Sequence, residues 1–219
     1  MLDVVDFKKK IKTSFSIAME ASPQGSIGVA VSGGGDSVAL LSLSSEWAKK
    51  NRRRIISATV DHGLRPESSE ECETVKRISV DLDVNHTTLT WTDNPTGNLQ
   101  NSARNARYHL LKSWALENKL SVVLFGHTLD DNAETVMLRI IRGSGVDGLS
   151  GIAQSRKIFG LNVHRPLLHL TRVELRRYLQ CERISWIEDP SNFDMRFDRI
   201  RVRKLLPTLS SCGLTPERL

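Results

Sequence analysis

The residues with the most chemical potential fall in three short clusters. In the first, Ile27–Val31 runs straight into Ser32, Gly33, Gly34, Gly35, Asp36 and Ser37, and an apolar helix pattern begins behind them. Glycines let the backbone turn tightly and bring its N–H groups against an anion, and a helix start adds partial positive charge. The pattern is therefore a phosphate cradle. Ser32 and Ser37 offer hydroxyl donors, and Asp36 could hold a magnesium ion that bridges phosphate oxygens. The lysine of a Walker A loop is missing, and a dinucleotide fingerprint would need glycine at Val38. The plainer alternative is a glycine-rich turn in which Asp36 or Ser37 caps the helix.

The second cluster is Asp61 and His62, just after an apolar run; a nucleotide contact and ordinary turn chemistry both account for them. The third is His127 followed by Asp130, Asp131 and Glu134. Asp130 reads as a cap or a dipole partner at a helix start. Asp131 and Glu134 stand three residues apart, which makes them neighbours on a helix surface. Behind a histidine at a strand end, such a pair could hold an amine or a metal.

These clusters need elements to carry them. Ile27–Val31, Arg54–Val60, Asn85–Trp91 and Ser121–Phe125 are short runs rich in β-branched residues and read as parallel strands, the third nearest an edge. A fifth strand is expected near Phe159–His164. Helical patterns follow at Ser37–Lys50, Ser68–Leu82, Asn98–Lys119, Asp130–Arg142 and Thr171–Glu182. On the fourth, Ala133, Val136, Met137, Ile140 and Ile141 form an apolar stripe. Strand–helix alternation predicts an α/β fold: a doubly wound, mostly parallel five-stranded sheet with helices on both faces and a small helical C-terminal extension. Ligands of such sheets sit at the carboxyl ends of strands, where all three clusters fall. Residues 1–150 read as the nucleotide-binding core. Residues 151–219 read as the end of the catalytic domain with a basic helical segment, and Gly143, Gly145, Gly148 and Gly151 form a flexible stretch between the two.

Composition narrows the class. Hydrophobic residues at 39% and charged residues at 26% are ordinary for a folded domain, and no run of roughly 18 apolar residues spans a membrane. The 3 cysteines (Cys72, Cys181, Cys212) form no CxxC, which argues against a zinc ribbon, a dithiol site or a cluster, and fits a reducing cytoplasm. A net charge of +6 suits a nucleic-acid partner, although an aromatic content of 5% gives little support for extensive base stacking.

The loop at 32–37 resembles that of the N-type ATP pyrophosphatases, the PP-loop superfamily with an adenine nucleotide alpha hydrolase-like fold, which split ATP into AMP and pyrophosphate. More of the chain is similar to the tRNA(Ile)-lysidine synthetase family. The resemblance runs in order through SGGGDS at 32–37, DHGLR at 61–65, ARNARY at 103–108 and GHTLDDNAET at 126–135. It continues through RGSGVDGLSG at 142–151, RPLL at 165–168 and WIEDPSN at 186–192. Arg199 is followed by Ile200 where the family usually has asparagine, and many members extend further with tRNA-gripping domains.

The resemblance implies a ligase that uses ATP and Mg2+ to adenylate the wobble cytidine of tRNA(Ile) with a CAU anticodon, and then attaches free L-lysine. Ser32–Ser37, Asp61 and His62 would hold the nucleotide, with Asp36 on the metal. Asp131 would serve the lysine amine, helped by Glu134. His127, Arg104, Arg107, Arg142 and Arg199 are the expected substrate contacts. Arg139 is similarly placed, and Arg196, Arg199, Arg201 and Arg203 form either a phosphate strip or ion pairs with the interleaved Asp194 and Asp198. A cytoplasmic protein with no membrane partner is expected, and a homodimer is compatible with the family. The rivals are a binding fragment without turnover and a tRNA thiolation enzyme of the same superfamily, which would ordinarily need cysteine pairs.

Overall fold

The computed structural model describes residues 3–63, 68–92, 99–188 and 198–219. Its strands are β1 (Ser26–Ala30), β2 (Ile55–Asp61), β3 (Asn85–Thr90), β4 (Leu120–Leu124), β5 (Ser155–Ile158) and β6 (Leu161–His164). They form one sheet in the order β3-β2-β1-β4-β6-β5. All are parallel except β5, which pairs antiparallel with β6 at the edge. The chain steps outward from β1 to β3 and returns to β4 on the other side of β1. The winding therefore reverses between β1 and β4, where a crevice opens at the strands' carboxyl ends.

The expected architecture stands, with six strands in place of five. The additional one, β5, reads Ser-Arg-Lys-Ile and exposes its first three residues. A polar edge strand carries no apolar alternation, so pattern reading passes over it. The predicted edge position of β3 holds, since β3 ends the sheet and only His86 and Leu89 are partly covered.

The helices are α1 (Val4–Glu20), α2 (Gly35–Asn51), α3 (Ser68–Asp81), α4 (Leu99–Glu117), α5 (Leu129–Ile141), α6 (Arg172–Glu182) and α7 (Asp198–Ser211). One face of the sheet packs against α1, α2, α3 and α6 in a single core that includes Phe15, Leu40, Leu41, Val75 and Tyr178. The other face packs against α4 through Tyr108, Leu111 and Trp114. The sequence reading passed over α1, yet Phe7, Ile11, Phe15 and Met19 recur on one side and are all buried. Each such side chain contributes on the order of 2 kcal/mol by leaving water.

A smaller cluster joins α5 to α7 through Ala133, Met137, Val202 and Leu206. The stripe expected on α5 is buried at Ala133, Val136 and Met137, but its last turn faces outward, with Ile140 and Ile141 exposed. The glycine-rich segment beyond it has structure of its own. Val146–Leu149 forms a 3-10 turn. Arg139 donates to the Gly148 carbonyl (3.2 Å) and to Ser150 Oγ (3.3 Å), and Asn132 Oδ1 accepts from the Ile152 N–H (2.6 Å).

Two histidines fasten the sheet. His164 is fully buried; its Nε2 donates to the Ala18 carbonyl (2.9 Å) and its Nδ1 accepts from Ser155 Oγ (2.7 Å). His86 Nδ1 meets Ser57 Oγ at 2.9 Å, joining β3 to β2. Burial is the main cause that lowers both, His86 to about 4. A folded-state pKa below the unfolded value near 6.5 means that the fold resists the proton. The stability these histidines supply is full above about pH 6.5 and is lost as pH falls toward 4. The urea midpoint should therefore decline between pH 7 and pH 5, and His86→Asn should flatten part of that decline. A variant as pH-sensitive as the parent chain would remove His86 from the effect.

Candidate active site

The loop after β1 is knitted from inside. Ser37 Oγ donates to the Gly34 carbonyl (2.8 Å) and accepts from the Ser32 N–H (3.1 Å), with Ser32 Oγ at 3.2 Å. Gly34 is the N-cap of α2 and no side chain caps it, so neither Asp36 nor Ser37 has the capping role. The N–H groups of Gly33, Gly34, Gly35 and Asp36 donate to no described residue. Four free donors at a helix start suit a polyphosphate, which the composition of the loop already suggested.

Two glycines allow close approaches here. Gly33 sits at φ +89, and a Cβ there would stand 2.6 Å from Ile187 Cδ1. Its carbonyl accepts from the Ile187 N–H (2.9 Å), which lays residues 186–188 over the loop. A Cβ on Gly126 would stand 3.1 Å from the Asp36 carbonyl oxygen and 3.2 Å from Ser37 Cα. A side chain at that point would press the exit of β4 against the backbone that starts α2.

The loop opens into a cleft of about 790 Å³. Its walls include Ser32, Gly34, Gly35, Asp36, Ser37, Asp61, His62, Arg107, His127, Asp131 and Arg199 from the expected set. Asp61 Oδ1 accepts from the Gly63 N–H (2.9 Å), so its turn chemistry is real as well. His62 packs edge-on against Trp91 at 5.9 Å, and burial, then Arg107, lowers its pKa. Leu64, Arg65, residues 189–192, Asp194 and Arg196 lie outside the described residues.

Gly33, covered by Ile187, is missing from those walls, and three other expected residues lie elsewhere. Arg142 is exposed at the end of α5, 3.9 Å from Asp198. Arg104 stacks over Tyr108 on α4, outside the cleft lining. Glu134 has no exposed side-chain surface and lies beneath the cleft. There it accepts from Arg172 Nη1 (2.6 Å), Arg199 Nε (2.8 Å) and Arg203 Nε (2.8 Å). Its immediate role is to gather three guanidiniums. Of the interleaved pairs expected, Arg201 meets Asp198, whereas Arg199 and Arg203 turn to Glu134 on α5.

The cap of α5 expected of Asp130 is made by Asp131, which also lines the cleft. Asp131 forms the capping box of α5: its Oδ2 accepts from the Thr128 N–H (2.9 Å) and Oγ1 (3.0 Å), while its N–H donates to Thr128 Oγ1 (3.3 Å). Its Oδ1 remains for Arg172 Nη2 (2.6 Å). Asp130 instead reaches across and accepts from the backbone N–H that opens α6, at Arg172 (2.8 Å). Burial alone would raise the Asp131 carboxyl, but Arg172, the Thr128 N–H and Arg199 outweigh it and hold it ionised.

Arg172 was not singled out in the sequence. It follows Thr171, whose capping box with Glu174 starts α6 and aims the next side chain into the cleft. Its guanidinium spans Glu134, Asp131 and, at 3.4 Å, Asp36. Asp36 is pushed up to about 6, chiefly by burial, with Arg172 pulling the other way. His127 drops to about 4, first through burial. Its Nδ1 accepts from Arg165 Nε (3.2 Å), which leaves its proton on Nε2.

A phosphate cradle at the switch point of a doubly wound sheet, facing an acidic helix start, defines a nucleotide-binding α/β domain. The chain belongs to the PP-loop family: the family model described as PP-loop domain matches residues 6–209. It is 46% identical over 215 residues to a tRNA(Ile)-lysidine synthase of Ruegeria pomeroyi, covering 98% of this chain and 50% of that protein. A second tRNA(Ile)-lysidine synthase, from Wolbachia pipientis wMel, is 43% identical over 196 residues, 88% of this chain and 46% of that one. The chain thus spans about half the length of the curated relatives it matches. In fold it is similar to a U34-tRNA thiolase from Methanococcus maripaludis, with a TM-score of 0.82 at 18% identity over 96% of this chain and 76% of that one.

Removing Arg172 takes a cation from both Asp131 and Glu134. Arg172→Met should cost about 3–5 kcal/mol, the usual penalty for breaking a buried pair, which lowers the melting temperature by roughly 6–20 °C. Adding Glu134→Gln should recover part of it, because the buried charge goes too. Calorimetry on both variants checks this, and strictly additive losses would show that the two residues do not act together.

Proposed function

We propose that this chain is the ATP-using core of a tRNA(Ile)-lysidine synthetase. In this reading ATP adenylates O2 of the wobble cytidine in a CAU anticodon and pyrophosphate leaves. The ε-amine of L-lysine then attacks ring carbon 2 and expels AMP, forming lysidine. The observation that carries the reading is that the 32–37 loop and Asp131 line one cleft. The relatives' names support the substrates.

The residues fit these tasks. The free N–H groups of Gly33–Asp36 and the start of α2 would receive the triphosphate and stabilise charge at phosphorus. Among the described residues no group of three metal-ligating side chains exists, so Mg2+ would rest on Asp36 with phosphate oxygens and water completing its shell, as is usual for this ion. When bound, that ion neutralises phosphate charge. Asp61 and His62, at the end of β2, would border the nucleotide. Arg107 and the Nε2–H of His127 would contact the cytidine or its phosphate.

Asp131, held ionised, would orient the lysine amine and stabilise the positive charge that develops on nitrogen as the C–N bond forms. Glu134 would contribute from below by fixing Arg172, Arg199 and Arg203. Arg172 sits against the carboxylates that the magnesium ion and the lysine would use, so it would share or yield those contacts. The cytoplasm, where tRNA and free lysine meet, is the setting we assign. The thiolation alternative lacks a cysteine pair in this chain, and the Cys72 thiol is pushed up to about 11, mainly by burial, which disfavours its reactive thiolate.

Incubation with tRNA(Ile), ATP and labelled lysine, followed by nucleoside analysis, should yield lysidine with equal AMP and pyrophosphate. ATP and tRNA binding without lysidine would favour a fragment without turnover. Asp131→Asn should leave the fold intact and reduce lysine transfer at least about a hundredfold. Near-normal lysidine from that variant would take Asp131 out of the reaction.

A further inference from the structure

Ion pairing sorts the arginines of this region into two groups. On the side of α5, α6 and α7, Arg172, Arg199 and Arg203 all have carboxylate partners. On the side of α4 and the β5–β6 hairpin, Arg104, Arg107, Arg156 and Arg165 have none among the described residues. Arg165 spends its bonds on His127 and the Ala153 carbonyl (2.7 Å). Burial is the main reason that Arg107 and Arg165 hold their protons less tightly than usual. Repulsion from Arg104 affects both, and Arg156 adds to it at Arg165. Uncompensated positive charge of this density opposes folding, and a polyanion would relieve it on binding.

A line of rings leads from the cleft through the same region. His127 stacks on Phe125 (6.1 Å), Phe125 on Tyr108 (5.6 Å), and Tyr108 meets Phe159 (6.1 Å), which meets His109 (4.9 Å). Arg107 lies over Phe125 and Arg104 over Tyr108, each at 5.4 Å. Phe159 ends the line, 49% exposed. Its backbone is at φ 49, and Gly160 at φ 87 completes a two-residue turn between β5 and β6. Turns with two positive φ angles favour Asn-Gly, and a bulky side chain in the first position is strained. The amine of Lys112 lies beside it, 3.5 Å from where a Cβ of Gly160 would stand. Stability would choose another residue for this position, whereas an exposed ring among cations suits a stacked base.

We propose that this face, from Arg107 through Arg104 and Arg156 to Phe159 and His109, docks the RNA that enters the cleft: the guanidiniums take phosphates and Phe159 stacks an unpaired base. The array is too long for a single small anion, since four ring-to-ring steps separate His127 from His109. The inference rests on the RNA-modifying reading above and adds the path by which the RNA leaves the site.

The test is fluorescence anisotropy of this chain with a labelled stem-loop RNA carrying CAU in its loop, across a salt series. Arg104→Glu with Arg156→Glu should weaken binding about tenfold or more and make the salt slope shallower by roughly one to two. Phe159→Asn should weaken it about tenfold while the melting temperature holds or rises, because asparagine suits the turn. Lys9→Glu with Lys50→Glu, the same charge change on exposed positions of α1 and α2, should bind as the parent chain does. Equal losses from the two charge pairs, no loss from either Arg104/Arg156 or Phe159→Asn, or no RNA binding by the parent chain would overturn the surface. Lysidine formation is read in parallel; its absence would undo the reaction assignment and leave the binding comparison standing.

Discussion

A carboxylate without solvent contact is stable only where cations and hydrogen bonds replace the water it has lost. Glu134 is in that position, and the cations that answer it come from two helices distant in sequence, Arg172 on α6 and Arg199 and Arg203 on α7. The second arm of Arg172 reaches Asp131, and its Nε approaches Asp36 on the phosphate loop. One guanidinium therefore sets how α5, α6 and the start of α2 stand around the cleft. The backbone N–H of Arg172 is fixed as well, through Asp130. Its planar fork can satisfy two carboxylates at once, which a lysine amine could do only as a point charge.

The cleft that results has two electrical halves. Toward α5, α6 and α7 the charges are paired and locked, and this half shapes the site. Toward α4 and the hairpin, Arg104 and Arg107 are stacked on rings and meet no carboxylate among the described residues. Between them lies the loop after β1, where the N–H groups of Gly33–Asp36 donate to no described residue. An anionic substrate thus meets fixed dipoles and free cations on one side, and a carboxylate kept ionised on the other. That division suits a reaction that must hold phosphates while also receiving an amine.

Much of this was legible in the chain. Runs such as Ile27–Val31 and Ser121–Phe125 announced buried parallel strands, and glycines placed directly behind the first announced the anion loop. Where pattern failed, the causes were local. The strand β5 is polar because it lies on an edge, and Ile140 and Ile141 continue an apolar period beyond the surface that α7 covers. Asp130 and Asp131 are adjacent and chemically identical, so nothing in their spacing says which closes the capping box and which reaches another helix. Arg172 looked like an ordinary residue of a helix start.

The sequence by itself determined the class of fold, the position of the phosphate loop and the presence of an acidic helix start behind a strand, because these depend on contacts between near neighbours and on periodicity. Only the tertiary structure decided which charges meet. Residues 36, 131, 134, 172, 199 and 203 come together through the winding of the sheet and the packing of α7 on α5. Whether an arginine finds a carboxylate or stays unpaired follows from that packing, since charge interactions act through space and carry no imprint on local spacing.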